Sequence, residues 1–104
     1  MDVRLNLASR PPVVELRQPT DFDRFHLRVV GEDEPAVANV AFGRYGRIVD
    51  RDTAWVKVEG VRELAEGAVD DQWERGFERM LDAAADQGWV DEARTEIKAH
   101  IAWP

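Results

Sequence analysis

A single apolar stripe constrains this chain more than any other feature. Val69, Trp73, Phe77, Met80, Leu81 and Ala84 recur at the spacing that collects side chains on one side of an α-helix. Asp71 can cap its start, with Glu74 three residues on completing a capping box, and Gly88 ends it. A helix over 71–87 follows. Its apolar side must be buried against another element. Its other side is acidic, with Glu74, Glu78, Asp82 and Asp86 standing four apart among Arg75 and Arg79.

Elsewhere the apolar period is two. Phe25, Leu27 and Val29 alternate with His26, Arg28 and Val30, and the run stops at Gly31. Val13–Arg17 is a shorter strand candidate, ended by Pro19. Residues 46–50 and 53–58 flank Arg51-Asp52 as a β-hairpin. After Gly88, Thr95, Ile97, Ala99, Ile101 and Trp103 alternate with Glu96, Lys98, His100 and Ala102, which argues for a closing strand over 95–103. Helical spacing of Ala93, Ile97 and Ile101 is the alternative there. Asp33-Glu34-Pro35 opens a short helix near 34–42, with Val37, Val40 and Ala41 expected on its buried side and a strand as the alternative. Gly60 and Gly67 bracket another brief helix over 61–66. Residues 1–11, which include the first of two consecutive prolines, read as a mobile arm or an edge segment.

These elements fit one α+β domain of 104 residues. The expected architecture has two layers: a small, mainly antiparallel sheet covered by one long amphipathic helix plus short helices. A core of this size leaves little surplus stability, so shallow grooves and surface patches are the expected working surfaces.

Composition excludes several chemistries. Without cysteine there is no disulfide framework, thiolate metal site or cysteine nucleophile. No apolar run is long enough to span a membrane or to serve as a signal peptide, so the expected location is cytoplasmic. The net charge of −7 falls entirely on residues 59–104; residues 1–58 are neutral. That distribution makes nucleic acid an unfavourable partner and a protein with a basic face a favourable one.

Few residues offer chemistry. Asp50 with Asp52, and Asp21 with Asp23, flank predicted turns, where aspartate serves the backbone. His26 and His100 are the only histidines, and both belong on the side of their strands opposite the apolar residues. If those strands shared a sheet, the two imidazoles could meet and titrate near neutral pH. The segment Gly43-Arg44-Tyr45-Gly46-Arg47 is basic and aromatic but lacks the glycine spacing of a phosphate-binding loop. Trp73 belongs to the core stripe; Trp55, Trp89 and Trp103 lie at strand ends, where an indole can anchor a partner.

The Phe25–Val29 strand, the Asp52–Val56 segment and the ending from Gly88–Asp91 to Ala99–Trp103 resemble a set of small actinobacterial proteins with no assigned function, over residues 25–103. The resemblance implies an actinobacterial cytoplasmic source, in keeping with a bias to Arg and Ala, and implies no activity.

The functional expectation is therefore a small non-catalytic interaction or regulatory module. Trp89, His100, Trp103, Glu78 and Asp82 are its candidate binding residues, with no catalytic residue, metal or cofactor. The alternative is a small-molecule binder or minor enzyme using a groove that contains histidine.

Overall fold

A computed structural model covers all 104 residues. It contains six strands and three helices: β1 (Asp2–Asn6), β2 (Val13–Arg17), β3 (His26–Val30), α1 (Pro35–Phe42), β4 (Gly46–Ile48), β5 (Thr53–Lys57), α2 (Val58–Leu64), α3 (Asp71–Asp86) and β6 (Glu96–Ala102). The strands form one sheet in the order β2-β1-β3-β6-β5-β4. The expected α+β class holds, and three of the five strand pairings are antiparallel, in a sheet that is mixed. The pairings of β3, with β1 and with β6, are parallel, and the other three are antiparallel.

The apolar strand residues point to one side. Val3, Leu5, Leu27, Val29, Ala54, Val56, Ile97, Ala99 and Ile101 join residues of all three helices in one core cluster of 21. Helix α3 contributes Trp73, Phe77, Met80, Leu81 and Ala84, the stripe read from the sequence. Trp73 stacks on Phe77 with ring centres 4.8 Å apart and meets the edge of Phe22 at 6.1 Å. Its indole N–H donates to the Pro19 carbonyl at 2.8 Å. That contact ties the β2–β3 connection to the helix.

The structure departs from the sequence expectations at the N-terminal segment and in each of the helices. The supposed N-terminal arm is β1, with Val3 and Leu5 fully buried. Val3, Leu5 and Leu7 have the two-residue period of a strand, and burial on both flanks outweighs the nearby prolines. The cap of α3 is Asp70, whose carboxylate accepts the Trp73 backbone N–H at 2.7 Å, and Val69 lies outside the helix and exposed. In α1 the buried residues are Ala38 and Phe42, one turn apart, while Val37 and Val40 face solvent. Phe42 is the largest apolar side chain of that segment, and burying it rotates the valines outward. Helix α2 begins at Val58 and takes Gly60 into its interior, where Tyr45 packs against it.

Residues 96–102 are strand, and His26–Val30 alternates as expected. No helix is long and apolar enough to cross a membrane.

Candidate functional site: the solvent-facing side of the sheet

Strand alternation that buries one set of residues presents the other set together. Register fixes which of them become neighbours. Across the sheet one row reads Arg17, Asp2, His26, His100 and Thr53, from β2 through β1, β3 and β6 to β5. A second row reads Glu15, Arg4, Arg28 and Ala102. On the far side Arg47, Trp55 and Lys98 form a third.

The structure thus brings the two histidines together. His26 and His100 are register partners on parallel strands. Burial lowers the His26 pKa from its ordinary 6.5; Asp2 pulls it upward, while Arg28, the chain's amino terminus and His100 push it further down. The folded environment thus favours the neutral imidazole of His26.

Beside His26 lies a groove of about 500 Å³, lined by Arg4, Arg17, Arg24, His26, Arg28 and the acids Asp2 and Asp21 among its walls. Acids outnumber bases 21 to 14 in this chain, yet none of its ion pairs engages Arg4, Arg24 or Arg28. Arg4 Nε is buried without a hydrogen-bond partner, an arrangement that is costly for a donor shielded from water. Arg17 holds Glu15 loosely at 3.4 Å, with both side chains exposed. The groove is a cluster of guanidinium groups with donors to spare.

A second cleft adjoins it, of about 350 Å³. Phe25, Asp52, Thr53, Trp89, Lys98 and His100 are among its walls. It opens where β3 begins: the β3 pairing starts at His26 opposite His100, and the preceding stretch of that β6 edge is bridged by Val90 to Ile97. Trp89 is 48 % exposed there. Arg24 and His26 line the arginine groove, and Phe25, between them in the sequence, lines this cleft.

The other expected binding residues fare differently. Trp89 and His100 share the cleft. Trp103 is half-buried, donates its indole N–H to the Arg51 carbonyl at 2.6 Å and has the Arg51 guanidinium over its ring at 5.1 Å. It fastens the chain end to the β4–β5 turn. Glu78 and Asp82 lie on the far side of the molecule from the sheet's open face, and basic groups of their own chain meet them. Arg62 bridges Glu59, Glu74 and Glu78, and Arg94 bridges Glu78 and Asp82 at 3.4 and 3.0 Å. The acidic ladder is thus relieved from α2 and from the turn before β6 rather than by Arg75 and Arg79.

The Gly43–Arg47 loop is also engaged internally. Arg44 pairs with Glu63, and Arg47 pairs with Glu96 while lying over Trp55 at 5.9 Å. A Cβ on Gly46 would come within 2.2 Å of the Trp55 carbonyl, so its glycine serves strand packing. Asp50 and Asp21 accept backbone N–H groups of Asp52 and Asp23, as turn residues do. No grouping of three or more His, Asp or Glu side chains suits a metal ion.

The arginine groove was not foreseen from the sequence. Arg4, Arg24 and Arg28 are scattered singly along the chain, and only the parallel β1–β3 pairing collects them. No known protein family, curated protein or solved structure matches this chain.

Proposed function

We propose that this chain is a small non-catalytic binding module that takes the anionic group of its partner on the open face of its sheet. In this reading the protein is a two-layer cytoplasmic module: the helical side supplies the core, and the uncovered side does the work. One observation carries the reading. In a chain with excess acid, three arginines converge on one groove and none has a carboxylate partner. Guanidinium groups bind carboxylate and phosphate oxygens through paired N–H donors, and a cluster of them recruits an anion by charge as well as geometry. The acidic face of α3 supports a basic partner less well, because Arg62 and Arg94 already occupy Glu74, Glu78 and Asp82.

Ligand linkage supplies the test, since anything that binds only the folded protein raises its melting temperature. Inorganic phosphate should raise the Tm of the wild type above that in sodium chloride of equal ionic strength. The double variant Arg4→Ala, Arg28→Ala should lose the difference. An equal rise in both proteins, or none in either, contradicts the proposal.

A further inference from the structure

We infer that the ligand of the open face is a mononucleotide, its phosphate in the arginine groove and its base in the cleft between Phe25 and Trp89; this rests on the anion-binding reading above. The two cavities are neighbours with complementary chemistry. One is rich in guanidinium donors: Arg4, Arg24 and Arg28 are in no ion pair, and they outnumber the two acids of the groove, Asp2 and Asp21. The other offers two aromatic side chains, one of them the half-exposed Trp89, beside the polar groups of Thr53, Asp52 and His100. Flat heteroaromatic rings stack on such side chains whatever the base, and a hydroxyl and a carboxylate at the rim can hydrogen-bond a base edge.

The spacing suits one molecule reaching both. From Asp2 on β1 to Thr53 on β5 the row crosses β3 and β6, three gaps of about 4.8 Å each, and Arg4 and Arg28 stand two residues further along β1 and β3. His26 and His100 stand between the two ends, where the sugar would lie. The indole of Trp89 is left open in a way the other indoles are not. Trp73 and Trp103 both spend their N–H on backbone carbonyls, and Trp55 lies under Arg47. A free nucleotide fits better than a nucleic-acid strand, because a net charge of −7 repels a polyanion that extends beyond the groove.

The test is calorimetric titration of the full chain with AMP, ribose 5-phosphate and a single DNA strand of about eight nucleotides, with the Trp89 indole signal followed by NMR. AMP should bind about tenfold or more tightly than ribose 5-phosphate, the increment expected for one stacked base. Trp89→Ala should remove that preference and leave ribose 5-phosphate binding unchanged. Trp89→Phe should retain most of it. Arg28→Ala should weaken both ligands by a similar factor. Because the Trp89 side chain is half exposed, these variants should fold, and unchanged circular dichroism checks that. Equal affinity for AMP and ribose 5-phosphate would overturn the nucleotide assignment while leaving anion binding intact. No binding by either would overturn both. Tighter binding of the strand than of AMP would overturn the choice of a free nucleotide.

Discussion

Arg4 and Arg28 are register partners on the parallel strands β1 and β3, so two guanidinium groups stand side by side on one face, while Glu15, across from Arg4 on β2, pairs with Arg17 instead. Like charges directly across a strand pair cost stability, on the order of 0.2–1 kcal/mol.

Arg28→Gln should therefore leave the free protein as stable as the wild type or slightly more so, by up to about 1 kcal/mol at low ionic strength. The gain should fade as added salt screens the repulsion. Urea unfolding at two salt concentrations measures it. A clear loss of stability would mean that Arg28 has a structural partner.

The lowered His26 pKa makes a prediction about pH. The folded protein disfavours the imidazolium, so the unfolded chain takes up its proton first as pH falls. Stability should decline as pH drops below about 6.5, the unfolded value, and level off once it passes the folded value. His26→Asn should flatten the melting temperature over that window. An NMR titration should place the His26 midpoint below 6.5. A midpoint above it would contradict the environment described for the His26–His100 pair.

Glu78 shares Arg62 with Glu59 and Glu74, and Arg94 with Asp82. Reversing it to Lys puts a cation between two arginines, so Glu78→Lys should destabilise the fold. These groups are partly exposed, and the loss should stay near 1 kcal/mol. Reversal without any loss, in thermal unfolding at low salt, would show that the network is only incidental.

The periodicities that carry the fold were legible in the sequence because they are local. The stripe from Trp73 to Ala84 marks α3, and alternation marks β3 and β6. Register between distant strands is not local. The meeting of His26 with His100 could be posed only as a condition on strand pairing, and the collection of Arg4, Arg24 and Arg28 left no local trace. The β1 strand is hard to read because five residues ahead of a Ser-Arg-Pro-Pro run look dispensable in isolation. What makes them a strand is burial between β2 and β3. Asp70 and Asp71 are equally good caps by type, and only the backbone geometry separates them.

Gly46 lies against β5 so closely that an added Cβ would meet the Trp55 carbonyl at 2.2 Å and the Trp55–Val56 backbone beyond it. The obstacle is backbone, which cannot swing aside as a side chain would. Gly46→Ala should cost about 1–3 kcal/mol, the range for overpacking. Chemical denaturation of the variant checks this, and wild-type stability would show that β4 has freedom to move outward.

An anion bound in the arginine groove must touch Arg4, Arg24 and Arg28. Titration of the isotopically labelled chain with inorganic phosphate at constant ionic strength, followed by NMR, reads this residue by residue. The predicted result is a saturable shift of the Nε–H signals of Arg4, Arg24 and Arg28 and of the His26 ring, with Arg75 and Arg79 on α3 unchanged. Small shifts that grow without saturation, or that reach the arginines of α3 as strongly as those of the groove, would contradict it.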